Sequence, residues 1–295
     1  MNTISKYLSL VKFAHTIFAM PFALIGFTYA VSTLPEAAAD SAPWQYRWLP
    51  LLVQVVLCMV FARNVAFGFN RWADRDIDAA NPRTADRDIP AGRITPRAAM
   101  IFVVINAALF IVTAASINTL TAALSPVALA VVLVYSLCKR FTSMAHLVLG
   151  LSLGIAPVGA YIAVTGEFAA APCVLAVLVM TWCAGFDIIY ALQDAEFDRR
   201  AGLHSIPARF TAAQALGIST ALHAASIAAL VWFASFCPGS WLLWTGCALF
   251  TAILVAEHML VTPTRQRHIG IAFGTLNGLA SLTLAAFVIA DLLLS

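Results

Sequence analysis

The sequence predicts an all-α protein: a polytopic membrane helical bundle of about nine transmembrane helices, with the N-terminus cytoplasmic and the C-terminus outside. Three observations carry this. The chain of 295 residues is 62% hydrophobic and 11% charged, with mean hydropathy +0.89, whereas soluble domains carry about 25% charge. Several windows reach the roughly 20 apolar residues that cross a bilayer, and the short alternating segments of a barrel are not found. Lys and Arg gather in alternate connections, as the positive-inside rule requires. The net charge of +3 is too small to suggest a nucleic-acid partner. The six cysteines (Cys58, Cys138, Cys173, Cys183, Cys237, Cys247) are scattered in or beside apolar runs without a CxxC pair, so neither zinc nor a disulfide is inferred.

The spans are expected at 11–32, 50–72, 97–117, 120–138, 144–164, 170–190, 211–234, 240–261 and 271–291. Lys6 and Lys12 precede the first without a small-residue cleavage site, so it reads as a retained helix. Lys12 and His15 open it, the lysine snorkelling to the interface. Thr95-Pro96 reads as an N-cap with proline at the first helical position of the third span. The third and fourth spans are divided only by a weak break near Asn118. Thr211 with Gln214 fits a capping box at the seventh.

With the N-terminus inside, the inner connections are 73–95, 139–143, 191–210 and 262–270. Together with the N-terminal tail and the adjoining helix ends they hold every Lys and Arg except Arg47. Were 97–138 a single span, Lys139 and Arg140 would fall outside, which favours nine spans over eight. Residues 1–295 read as a single membrane-embedded domain. A faint repeat relates the helices near 50–78 and 170–198. Each ends in DxxxD and is followed by an Ile-Pro-Ala segment, at Ile89-Pro90-Ala91 and Ile206-Pro207-Ala208. Duplication and coincidence both account for it, and four crossings between the two place them on one membrane face either way.

Nine of the fourteen acidic residues lie in two short segments, 74–88 and 187–198. In a helix, Arg63, Phe67, Asn70, Asp74 and Asp78 share a face, as do Cys183, Asp187, Tyr190, Asp194 and Asp198. Two facing carboxylate pairs suit Mg²⁺ bridging to a diphosphate, because Mg²⁺ favours a few carboxylates plus substrate phosphates. The plainer reading is solvated helix ends paired with Arg71, Arg75, Arg199 and Arg200. Asp76, Asp86, Asp88 and Glu196 fall off those faces and read as loop salt bridges. Arg63 and Asp187 lie deeper in apolar sequence, where an ionisable group is a functional candidate or a structural Arg–Asp pair. Lys139 and Arg140 either signal topology or bind phosphate oxygens. His146 reads as a satisfied buried imidazole. The polar stretch 81–95, NPRTADRDIPAGRIT, is long for a connector and is expected to form a lid that sheds water.

These residues resemble a known family. NRWADRDID over 70–78, followed by NPRT and PAGRIT, is similar to the first signature of the UbiA superfamily of intramembrane prenyltransferases, N-x-x-x-D-x-x-x-D. DIIYALQDAEFD over 187–198 is similar to the second, D-x-x-Y-A-x-x-D-x-x-x-D. KFAHTIFAMPFAL in the first span and YSLCKRFT over 135–142 extend the resemblance to most of the chain. It is nearest the 4-hydroxybenzoate polyprenyltransferase branch. GFDIIYALQDAEFDRRAGLHSIPARF leans toward relatives of the futalosine route to menaquinone, which act on 1,4-dihydroxy-6-naphthoate.

The resemblance implies Mg²⁺-dependent transfer of a polyprenyl group from its diphosphate to an aromatic acceptor at the cytoplasmic side of the inner membrane, in ubiquinone or menaquinone biosynthesis. By this likeness Asn70, Asp74, Asp78, Asp194 and Asp198 hold Mg²⁺. Lys139, Arg140 and Asn70 bind the diphosphate, Arg63 assists or receives an acceptor carboxylate, and Asp187 and Tyr190 act on the acceptor or the carbocation. Two other readings are weighed. A CDP-alcohol phosphotransferase would need D-G-x-x-A-R and G-x-x-x-D, which are absent. A cation or phosphate transporter would place carboxylates at mid-depth, whereas here they gather at one face.

Overall fold

Polar and small residues set where the helices stop, and the stops bring the two acidic motifs to one end of a bundle. A computed structural model describes residues 18–34 and 44–295. The long helices are α1 (Met20–Thr33), α2 (Trp44–Ala73), α3 (Pro96–Ala115), α4 (Thr119–Cys138), α5 (Ala145–Thr165), α6 (Ala170–Ala191), α7 (Ala212–Ala234), α8 (Trp241–Leu260) and α9 (Asn277–Leu294). Among the described residues, eight helices are long and apolar enough to cross a membrane, and Met20–Thr33 is a shorter apolar helix at the place of the first expected span. The expectations for Lys6, Lys12, His15 and the start of that span lie outside the described residues. α2 begins several residues before the expected 50, at Trp44.

The caps follow the sequence. Thr95 accepts the Ala98 N–H at 3.2 Å, and Thr211 and Gln214 form the reciprocal capping box. The weak break between α3 and α4 is a real turn. Asn118 accepts the Thr121 N–H at 2.8 Å and donates to the Ile162 carbonyl at 2.8 Å, so it caps α4 and ties the turn to α5.

α6 is the most enclosed span and packs along both α5 and α7. α5 also carries α1 and α4, while α2, α3 and α4 form a second group beside it. In lipid, packing rather than apolar burial draws helices together, so small residues mark the crossings. A Cβ on Gly150 would collide with the Met180 carbonyl of α6, and one on Gly26 with the Pro157 carbonyl of α5. Around Trp182 of α6 sits an aromatic core. Its ring lies 5.2 Å from Phe22, 4.9 Å edge-on from Phe186 and 6.0 Å from Phe250. Its indole N–H donates to Asn277 at 2.8 Å, and Asn277 donates to Glu257 at 2.9 Å, satisfying the polar end of the buried indole.

The connections that follow α2, α4 and α6 meet at one end. Arg140 donates to the Ala73 carbonyl at 2.6 Å, the His204 N–H to the Lys139 carbonyl at 2.7 Å, and Asn81 to Asp194 at 3.0 Å. Val261 and Ile269, flanking the connection after α8, pack with Ile206 and Leu192 at the same end. Residues 81–95 fold back on this end through turns. Ile89 and Ile94 are buried with Ala99 against Trp72 and Phe102, and Gly92 takes a left-handed φ of 71° that favours glycine.

Candidate active site

Each acidic motif straddles a helix break, where the sequence suggests unbroken helices. α2 ends at Ala73, Asp74 takes φ −93° and ψ 3°, and a short helix, Arg75–Ala80, carries Asp78. α6 ends at Ala191, a 3₁₀ turn follows, Asp194 takes φ −105° and ψ 0°, and Ala195–Arg200 carries Asp198. Both aspartates occupy the bridge region where many active-site residues sit. The i,i+4 backbone bonds survive at the first break, with Asp74 N–H to Asn70 O at 2.9 Å and Asp78 N–H to Asp74 O at 2.7 Å. The stacking of Asn70, Asp74 and Asp78 is therefore kept while the chain bends.

A polar pocket of about 170 Å³ is lined by Asn70, Asp74, Asp78, Asp194 and Asp198 together. Asp74 is 1% exposed. Its Oδ2 lies 2.5 Å from Lys139 Nζ and accepts from Asn70 at 3.1 Å, and its Oδ1 lies 3.2 Å from Arg140. Asp78, also buried, meets Arg87 at 2.6 Å and Arg71 at 3.9 Å. Asp194 accepts from Arg83 Nε at 2.7 Å, pairs with Arg83 Nη2, and accepts from Asn81 at 3.0 Å. Arg83 Nη1 donates to the Tyr190 hydroxyl at 3.1 Å. Burial alone would lower the Arg83 pKa, but the bonds to Asp194 and Tyr190 outweigh it and raise the value. Asp198 accepts from Ser205 Oγ at 2.8 Å.

The pocket opens through a throat. Asn70, Arg87, Tyr135, Asp187 and Tyr190 line both it and an apolar cavity of about 400 Å³. That cavity follows α4 from Tyr135 to Thr121, which is about 21 Å at 1.5 Å per residue. Arg63 lines it with its guanidinium 4.6 Å from the Phe67 ring centre. The Tyr190 and Phe273 rings lie 4.1 Å apart beside the throat. Asp187 is held by His146, whose Nδ1 lies 2.7 Å from its Oδ2.

Every residue to which the resemblance gives a site role lines one of these two spaces except Arg140, which reaches the pocket through Asp74. The off-face acids pair as expected: Asp76 with Arg75, Asp86 and Asp88 with Arg93, and Glu196 with Arg200. Sequence reasoning missed Arg83, Arg87, Asn81 and Ser205; its reading of His146 as a satisfied buried imidazole holds, since the ring is buried and both nitrogens have partners. The first three lie in or beside the NPRT stretch, which carries more polar side chains than a connector needs.

The donor set fits Mg²⁺. Asp74 Oδ1 and Asp78 Oδ2 are buried oxygens without a hydrogen bond, and oxygen is the ligand a hard cation takes. Among the described residues, no three His, Cys, Asp or Glu side chains stand close enough to hold a metal ion by themselves. One or two carboxylates with substrate phosphates is the arrangement Mg²⁺ adopts in phosphate chemistry.

Comparison with known proteins follows the same lines. The description of the UbiA prenyltransferase family matches residues 16–288. A 4-hydroxybenzoate octaprenyltransferase of Burkholderia ambifaria is 30% identical over 226 residues, 75% of this chain and 76% of that protein. A protein of the same name from Photobacterium profundum is 34% identical over 168 residues, 57% of either chain. A protoheme IX farnesyltransferase of Symbiobacterium thermophilum is 35% identical over 215 residues, 69% of this chain and 71% of its own. Among solved structures, a UbiA homolog from Aeropyrum pernix K1 in the apo state superposes with TM-score 0.77 at 29% identity, covering 95% of this chain and 97% of that one. A UbiA homolog from Archaeoglobus fulgidus, bound to GPP and Mg²⁺, gives TM-score 0.74 at 22% identity, covering 97% and 99%.

Proposed function

The chain belongs to the UbiA prenyltransferase family, and from that premise we propose that it catalyses Mg²⁺-dependent transfer of a polyprenyl group from polyprenyl diphosphate to a small aromatic acid, 4-hydroxybenzoate or 1,4-dihydroxy-6-naphthoate. The described helices act as one membrane-embedded domain, and the motif end faces the cytoplasm. One observation carries the reading. Both aspartate motifs converge on a polar pocket that shares five lining residues with an apolar cavity running about 21 Å along α4. A molecule with an anionic head and an isoprenoid tail matches that shape.

Asn70, Asp74, Asp78, Asp194 and Asp198 would hold Mg²⁺, which supplies charge neutralisation on the donor diphosphate. Lys139 and Arg140 flank Asp74 and place fixed positive charge where the leaving diphosphate gains negative charge. The throat residues surround the allylic carbon. Asp187 and the faces of Tyr190 and Phe273 stabilise a carbocation there, and Asp187 is placed to take the ring proton. Arg63 offers its guanidinium to an acceptor carboxylate inside the mostly apolar cavity. Residues 81–95 lie over the pocket and limit water, which would otherwise quench the cation.

Purified protein in lipid nanodiscs, given Mg²⁺ and a labelled polyprenyl diphosphate, should prenylate one of the two aromatic acids and leave protoheme unmodified. EDTA should stop the reaction and Mg²⁺ restore it. Product with protoheme alone would transfer the assignment to the other relative. Absence of product with all three, alongside ion or phosphate uptake into liposomes, would overturn the enzyme reading.

A further inference from the structure

His146 stands outside both aspartate motifs, yet its ring meets Asp187 of the throat. It is the second residue of α5, its side chain is 5% exposed, and it lines the polar pocket. Both ring nitrogens are engaged. Nε2 accepts the backbone N–H of Ile206 at 3.3 Å. A backbone amide can only donate, so Nε2 is unprotonated and the proton of the neutral ring sits on Nδ1. Nδ1 then donates to Asp187 Oδ2 across 2.7 Å. The tautomer is fixed by the fold.

This arrangement has two consequences. With Oδ2 pinned, Asp187 can rotate little, and its remaining 18% of exposed side-chain surface borders both the polar pocket and the apolar cavity. The same imidazole also clamps the segment that braces the second motif. Ser205, just before Ile206, donates to Asp198 at 2.8 Å and caps the turn Ile206–Arg209 by accepting the Ala208 N–H at 3.2 Å. One side chain therefore fixes the geometry between the inward carboxylate of α6 and the support of Asp198. A core-filling imidazole would need neither partner in these positions.

Resting on the prenyl transfer proposed above, we propose that His146 is a positioning residue for the proton-loss step, holding Asp187 so that its other oxygen receives the ring proton. The allylic C–O bond breaks and its electron pair leaves with the diphosphate. A π pair of the acceptor ring forms the new C–C bond. The C–H bond at the substituted ring carbon then breaks. Its electron pair restores aromaticity, and its proton goes to Asp187 Oδ1 and on to water in the polar pocket. Prealigned carboxylate oxygen matters because the arenium ion otherwise reverts by losing the prenyl group.

The test compares His146→Leu, which fills similar volume without a donor, with His146→Asn, whose amide N–H replaces Nδ1–H. Both are assayed in nanodiscs with the natural and ring-deuterated acceptor. His146→Leu should lower kcat about tenfold to a hundredfold, the range for lost support of a reacting group, with little change in donor KM. It should also acquire a primary deuterium isotope effect, because proton loss becomes slow. His146→Asn should recover most of kcat and show no such effect. If His146→Leu fails to fold, His146→Gln supplies the contrast, since its amide lies one bond too far to replace Nδ1, and it should be slow with an isotope effect. Leu or Gln variants with wild-type kcat, or Leu, Gln and Asn variants equally slow without an isotope effect, overturn this inference alone. Absence of transfer by the unmodified protein overturns the functional reading and this inference with it.

Discussion

Arg83→Ala should release the stretch 81–95 from the second motif and weaken donor binding. Arg83 makes a forked pair with Asp194, with Nε at 2.7 Å, and a third bond to the Tyr190 hydroxyl at 3.1 Å, its guanidinium 5.4 Å from that ring's centre. Buried bonds to charged groups are worth about 1.5–3 kcal/mol each. Here the Arg83 side chain is 33% exposed and that of Asp194 16%, so solvent screening brings the forked pair to about 1 kcal/mol. The phenol bond and ring contact add about 0.5–1 kcal/mol. The sum, about 1.5–2 kcal/mol, corresponds to roughly a 10- to 30-fold effect.

Two measurements read that effect. The amides of Thr84, Ala85 and Arg87, bonded within the segment, should exchange with solvent faster by about that factor in hydrogen-exchange mass spectrometry. Donor KM should rise by a similar factor, with a smaller change in kcat. A double-mutant cycle with Tyr190→Phe should show coupling of about 0.5–1 kcal/mol. If exchange across 81–95 and donor KM both stay within about twofold of wild type, the stretch is not held by Arg83 and the lid assignment is refuted.

Three further outcomes are expected. Asp74→Asn removes a buried charge that Lys139 and Arg140 share; kcat should fall about a hundredfold to a thousandfold with the protein still inserted, and near-normal turnover would remove Asp74 from the metal site. Gly150→Ala drives a methyl into the Met180 carbonyl where α5 crosses α6; it should cost about 1–3 kcal/mol, read as a lowered Tm in detergent, and an unchanged Tm would contradict the packing. Gly159 lines the apolar cavity, and a Cβ there meets nothing within 4 Å. Gly159→Leu should therefore spare geranyl diphosphate while depressing kcat/KM for longer donors, checked by competition between donors; equal loss for all lengths would place the tail elsewhere.

What could be read from the sequence was what local chemistry decides. Thr95, Asn118, Thr211 and Gln214 act within one turn of chain, and their caps stand where the residues placed them. The motif spacing brought Asn70, Asp74, Asp78, Asp194 and Asp198 to a common pocket because i,i+4 periodicity survives small bends. For the same reason the breaks at Asp74 and Asp194 were invisible: spacing is identical in a straight helix and in one that bends at the middle aspartate. The pairings of Arg83 with Asp194 and of His146 with Asp187 join residues 111 and 41 positions apart. No local pattern encodes such contacts, so Arg83 read only as part of the expected lid and His146 only as a satisfied buried imidazole, without their partners.

The charge balance of the site bears on how a diphosphate could enter it. Five carboxylates belong to the polar pocket: Asp74, Asp78, Asp187, Asp194 and Asp198. Five cations stand against them: Arg83, Arg87 and Lys139 in its wall, with Arg71 and Arg140 reaching Asp78 and Asp74 from behind. The count balances, and His146 adds no charge as a neutral donor. Isolated charges this close to the membrane interior are expensive, so a balanced set is what the protein can sustain at rest. A diphosphate entering alone would leave the pocket strongly negative, because every cation already has an aspartate beside it. Entry together with divalent cations restores the balance, and it makes use of the aspartate oxygens, Asp74 Oδ1 and Asp78 Oδ2, that lack hydrogen bonds. The aspartates would otherwise only repel such a donor; in the proposed role of Mg²⁺ ligands they would become the reason it binds.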